Sequence, residues 1–123
     1  MISTNVDRTE FEKKMELILE YKNSGNYLKA IEVAEMLTAE FSQEASAFGL
    51  LASLNFMTEK YEKASISFKK TTVLAPKSET ASLGLFHSLW RLNDHEGAFV
   101  EMKRFTAIVN SEEYDNLIKE MNK

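Results

Sequence analysis

Alanine stands at positions 30, 64 and 98, a step of 34 residues each time. Three residues before each alanine is a ring, Tyr27, Tyr61 and His95, and thirteen before is a leucine, Leu17, Leu51 and Leu85. The segments 25–34, 59–68 and 93–102 overlay on this register. A chain that repeats at such an interval builds one supersecondary unit several times, and each unit hides its apolar face only by stacking on its neighbours. The small residue lets two helices approach without a side chain between them, and the ring one turn earlier fills the corner.

The units are helical. Apolar residues recur with helical spacing, as in Phe11, Met15, Ile18 and then Leu28, Ile31, Leu37, with Glu, Lys, Ala and Met between them. One proline and four glycines leave few turns, which argues against a many-stranded β fold. The breaks have explicit chemistry. Thr9 with Glu12 has the form of a capping box. Gly25 can end a helix in the left-handed conformation and Asn26 can cap the next. Ser42, Thr58, Ser78, Asp94 and Ser111 are further candidate caps, and Pro76 stops a helix after Ala75. The pattern predicts seven helices near 9–23, 26–40, 43–57, 60–74, 78–92, 95–109 and 111–121.

This pattern resembles the tetratricopeptide repeat, a helix–turn–helix unit of 34 residues. The middle unit carries the resemblance best, through Phe48, Leu51, Ala52, Tyr61, Ala64, Phe68 and Pro76. The first offers Leu17, Tyr21, Gly25, Tyr27 and Ala30, and the third Leu85 and Ala98. Ile18 and Phe86 depart from it where the family prefers glycine or alanine, as do Leu37, Thr71 and Phe105 where a second alanine is usual. The resemblance implies an all-α, right-handed α-solenoid, one domain over 1–123, with repeats at about 11–44, 45–78 and 79–112. Tyr114, Leu117, Ile118 and Met121 form one apolar stripe with charges opposite, as a capping helix over 111–121 requires.

Composition narrows the function. There is no cysteine, so disulfides, thiolate zinc sites and cysteine nucleophiles are excluded. The longest run without a charge, 45–58, is shorter than the roughly 18 residues of a membrane span. The polar start has no apolar stretch of signal-peptide length, and no membrane tail follows Lys123. A cytoplasmic protein without a membrane anchor is expected. Residues 1–62 hold 6 Lys/Arg against 11 Asp/Glu, whereas 63–123 hold 9 against 8. An acidic first half repels phosphate backbones, so a protein or peptide partner, basic in character, is expected rather than nucleic acid. His87 and His95 lie on different helices without a spaced carboxylate set, Gly25, Gly49, Gly84 and Gly97 are isolated, and no nucleophile–base pair is apparent. No enzyme activity, cofactor or metal is expected.

In tetratricopeptide arrays the first helices of successive units line a concave groove that takes the partner. Carried onto this chain, the resemblance assigns the groove to Glu12, Met15, Glu16, Leu19 and Lys22 of the first unit. The second contributes Ser53, Phe56 and Met57, with Ser46, Gly49 and Leu50 beside them. The third contributes Leu83, His87, Trp90 and Arg91, with Thr80 and Gly84. Trp90 is expected to be its exposed anchor. The chaperone-tail binders of this family grip a carboxylate with lysines, asparagines and arginine. Met15, Leu19, Leu50, Thr80 and Gly84 stand in the corresponding places and cannot. The resemblance therefore implies a non-catalytic adaptor or chaperone, in the manner of three-repeat secretion chaperones. The alternative is an immunity protein that occludes a basic toxin or enzyme. A monomer or a weak homodimer is expected.

Overall fold

A computed structural model describes the backbone of residues 4–123 and the side chains from Arg8 onward. Seven helices occupy the described residues: α1 (Thr4–Asn23), α2 (Tyr27–Glu40), α3 (Ala45–Met57), α4 (Tyr61–Leu74), α5 (Glu79–Arg91), α6 (His95–Thr106) and α7 (Glu112–Met121). Each of the first five packs on the next in the chain, and α3 also touches α5. The first helices α1, α3 and α5 thus form one face and the second helices α2, α4 and α6 the other. None of the seven is long and apolar enough to cross a membrane.

The alanine column sets the spacing. Ala30, Ala64 and Ala98 are all wholly buried, so the paired helices meet at their backbones. Ile18, Ala52 and Phe86 form a second buried column at the same period. The two bulky departures from the repeat pattern are therefore absorbed inside the stack. Leu37, Thr71 and Phe105 form a third.

Helix ends repeat as closely as the core. Gly25, Glu59 and Asn93, again 34 residues apart, all have positive φ, at 80°, 64° and 63°. In each case the amide of the next residue reaches back to a carbonyl five residues earlier: Asn26 to Tyr21, Lys60 to Asn55 and Asp94 to Leu89, at 2.8–2.9 Å. This is a Schellman cap, and it makes each turn between paired helices nearly the same object. Only the first carries the glycine the geometry favours; Glu59 and Asn93 hold it against the usual side-chain cost.

The expected caps divide. Ser78, Asp94 and Ser111 each accept a bond from the backbone amide three residues on, at Ala81, Gly97 and Tyr114. Asn26 is the N-cap of α2 without a side-chain bond. Ser42 caps no helix, and Thr58 is the C-cap of α3 rather than an N-cap, its amide reaching the Leu54 carbonyl. The residues before α3 and α4 are Glu44 and Lys60, and the Thr58 hydroxyl also donates to the Leu54 carbonyl at the end of α3. Thr9 is no N-cap either, because α1 starts at Thr4 and Thr9 lies within it.

Leu17 departs from its equivalents in the other two units. Leu51 is packed with Ile31 and Ala34 of α2, and Leu85 with Ala64 and Phe68 of α4. Each such leucine enters the second helix of the preceding unit. Among the described residues no unit precedes the first, and Leu17 is 37% exposed against 7% for Leu51.

The far end is closed by α7. Tyr114 is fully buried, edge-on to Phe86 and tilted against Phe105 at 5.8 Å each. Leu117 and Met121 pack on the same cluster. The Tyr114 hydroxyl is 2.7 Å from the Ser82 hydroxyl, and the Ser111 hydroxyl donates to Glu79 at 2.7 Å. Burial pushes the Tyr114 phenol up to about 12, against the pull of its bond to Ser82. Nearby, the buried Glu101 carboxylate accepts two bonds from Arg104, which also donates to the Pro76 carbonyl. The doubly bonded carboxylate raises the Arg104 pKa.

Candidate functional site

The first-helix face is grooved because small residues sit where helices meet. Gly49, Ser46 and Ser53 of α3 and Thr80 of α5 leave the space between α1, α3 and α5 unfilled, and its floor dips to Phe68 and Thr71 of α4. Met15 and Leu19 of α1 form one wall and Leu50 rises from α3. This cavity measures about 400 Å³. A second, of about 190 Å³, continues from Ser53 and Phe68 past Phe56, Met57 and Gly84 to His87. A third, of about 180 Å³, runs from His87 and Phe86 to Trp90, Leu117 and Met121. Shared lining residues join the three into one trough along the stack. A Cβ on Gly84 would run into the Phe68 ring, so the glycine is what lets α5 close over that ring.

The trough is uncharged. Every residue lining its first and second cavities other than His87 is apolar or carries only a hydroxyl, and the Ser53 hydroxyl is turned to the Gly49 carbonyl. Burial, and then the charge of Arg91, hold the His87 pKa below its ordinary value, so the imidazole is neutral at neutral pH. Nothing there supplies a nucleophile–base pair or an anion-binding set.

The expected site residues separate on this geometry. Met15, Leu19, Ser53, Phe56, Met57, His87 and Trp90 line the trough. The others lie outside these cavities. Glu12 is exposed and lies 3.6 Å from Arg8, whose guanidinium also reaches Glu44 at 2.9 Å. Glu16 is exposed beside it. Leu83 is half-buried against the third core cluster. Arg91 lies over the Tyr61 ring, 5.4 Å from its centroid, and donates to its hydroxyl at 3.2 Å.

Lys22, Phe56 and Trp90 share one repeat position, and the last two meet the corner ring of their own unit. Phe56 is edge-on to Tyr61 at 5.2 Å; Trp90 stacks on His95 at 4.0 Å and on Phe86 at 5.7 Å. Trp90 is thus half-buried in an aromatic stack at the end of the trough, in the cavity that Leu117 and Met121 of α7 also line. Sequence reading missed Phe68 and Thr71, which belong to a second helix and show through only because residues 49, 53 and 84 are small. The signal was there in those residues, but it depends on knowing which helices lie adjacent.

No protein-family model and no curated protein matches the chain. Solved structures do. The type III secretion chaperone SycD of Yersinia enterocolitica, in complex with a peptide of the translocator YopD, superposes with a TM-score of 0.77 at 18% identity, over 93% of this chain and 88% of that one. A chain of the CopN–Scc3 complex gives 0.80 at 21% identity, over 97% and 68%. MamA gives 0.73 at 21%, over 85% and 57%. These neighbours are tetratricopeptide-type helical repeats. Three helix pairs at a 34-residue period, stacked through an alanine column and closed by a capping helix, give this chain the tetratricopeptide-repeat fold.

Proposed function

We propose that the chain is a non-catalytic protein-interaction module, chaperone-like or adaptor-like, that holds a segment of a protein partner in the first-helix groove. One observation carries this reading: the groove is a continuous, uncharged, apolar trough from Met15 to Met121, open along its length and built on helices. Such a trough suits an extended or helical segment that places apolar side chains in successive pockets. The similarity to SycD, whose solved complex holds a peptide of YopD, supports it.

The trough's lack of charge also gives the reading a signature. Association through it should survive rising salt, whereas an acidic surface that blocks a basic enzyme should lose association rate. A photo-reactive amino acid placed at Leu50 should crosslink a protein partner in native cells, and the same probe at Lys29, on the second-helix side, should not. Equal crosslinking at the two positions, or none at Leu50, would overturn the proposal.

A further inference from the structure

The opposite face carries a second apolar cleft that the groove does not use. Its walls are α4 and α6 and its floor is Leu85 and Leu89 of α5, enclosing about 390 Å³. The repeat shows why it is open here and not one unit earlier. At the corresponding positions between α2 and α4 stand Ile31, buried to 4%, and Lys63, which is exposed. At those same positions between α4 and α6 stand Ser65 and Gly97. Two small residues have replaced two large ones. The Ser65 hydroxyl is turned back to the Glu62 carbonyl at 2.7 Å, which leaves its apolar side toward the cleft.

The rim is as unusual as the floor. Ile66 and Val100, one repeat apart, are 66% and 62% exposed, and Val73 continues the stripe two turns along α4. β-branched apolar residues facing water on neighbouring helices form a patch with no function in the fold. Three residues beyond Ile66 and Val100 lie Lys69 and Lys103, again one repeat apart, and neither makes an ion pair among the described residues. The first unit has Glu32 and Glu35 at these two positions, so its outer surface is acidic where the other two are apolar and basic. The remaining charges around the cleft are ordered as well. Glu62 and Glu96 stand one turn to the other side of Ile66 and Val100, and the Glu101 carboxylate at the base is neutralised by Arg104 at 2.7 Å.

We infer that this second-helix cleft is a separate docking site for an acidic amphipathic helix of a protein partner, which sets a bulky apolar side chain between Ile66 and Val100 and a carboxylate one turn on against Lys69 and Lys103. Charge complementarity selects the occupant: an apolar anchor alone fits the cleft, but a carboxylate one turn on meets Lys69, the cation that lines it, with Lys103 one repeat further on, and a basic side chain at that place meets repulsion. The site does not rest on the groove, and the module could hold two segments at once.

The test is an amide-proton NMR titration of the ¹⁵N-labelled full chain with a synthetic amphipathic peptide of leucine, alanine and glutamate. A second peptide with lysine in place of every glutamate serves as the control. The acidic peptide should shift Ser65, Gly97 and Val100 saturably, and the basic one should not. Lys69→Glu with Lys103→Glu should weaken the acidic peptide by about tenfold or more. Ser65→Ile, which restores the filling found in the first unit, should abolish the shifts while leaving crosslinking from Leu50 intact. The proposal fails if both peptides bind alike, or if shifts are confined to Leu19, Ser53 and His87. It fails also if no saturable shift appears, or if these amides broaden with protein concentration alone, which would make the occupant a second copy of the chain.

Discussion

Leu17 and Leu51 occupy one position of the repeat, yet the first is 37% exposed and the second 7%. Their neighbours explain the difference. Around Leu51, α3 presents Ala47, Phe48 and Leu54 to the rest of the stack; one repeat earlier α1 has Lys13, Lys14 and Glu20. Ala47 and Leu54 are buried and the three charged residues are wholly or partly exposed. Backbone geometry follows the repeat, whereas burial follows the neighbouring unit. The third unit faces the same problem at its outer side and answers it differently: Phe86 and Phe105 remain apolar, and Tyr114 of α7 is laid across them. One end of the stack is finished by charge and the other by a helix.

Exchanging residues between the first two units should break this contrast most sharply. Leu54→Glu puts a carboxylate at a fully buried site with no cation to meet it and should cost about 4–5 kcal/mol, enough to unfold much of the protein. Glu20→Leu, the reverse change at the equivalent place, should change the unfolding free energy from urea titration by no more than about 0.5 kcal/mol. Similar losses from both would mean that the first unit is covered in solution.

At the other end Tyr114→Ala should cost about 3–5 kcal/mol. It should also uncover Phe86 and Phe105, so that sedimentation velocity detects a concentration-dependent oligomer. A stable monomer would show that α7 is dispensable as a cover.

The same side chain predicts an alkaline limit. Its phenol titrates near 12 in the fold against 10.0 as an ordinary tyrosine. Between these values the unfolded chain has released a proton that the folded chain retains, so stability falls as pH rises. It is unaffected below the lower value and drops by at most about 3 kcal/mol across the window. Tyr114→Phe should remove this dependence, at the cost of leaving the buried Ser82 hydroxyl unpaired. An unchanged alkaline slope in Tyr114→Phe would assign the limit to another group.

The smallest effects concern the turns. Glu59→Gly relieves a side chain held at positive φ and should add about 1 kcal/mol, while Gly25→Ala imposes the strain and should remove about as much. Thermal melts that rank the two alike would deny the common cap.

Much of this architecture was legible in the sequence, because the alanine column, the rings beside it and the caps Ser78, Asp94 and Ser111 act locally. All seven helices lie where the period and the breaks put them, apart from the start of α1 and the end of α6, which stops at Thr106 rather than 109. What the sequence hid depends on neighbours. Leu17 reads as core by its repeat position, but among the described residues no second helix of a preceding unit lies against it. Glu59 and Asn93 do not resemble turn glycines, although the period from Gly25 marks them. Trp90 lines the end of the groove as helical counting has it; its stacking on His95 and Phe86, which half-buries it, was not legible because it depends on how the helices meet. The groove's uncharged walls were visible in Met15, Leu19, Ser53 and Met57; its floor at Phe68 was not, because a second helix supplies it.

The claim that function resides in the first-helix trough is tested most directly by the methionine methyl groups. Met15 and Met57 line the trough, whereas Met36 is 62% exposed on α2. The full chain, with ¹³C-methyl methionine, should be saturated with the segment that crosslinks to Leu50. The account predicts that the Met15 and Met57 methyl resonances move and that of Met36 does not. Movement of Met36 with Met15 and Met57 unchanged would contradict it.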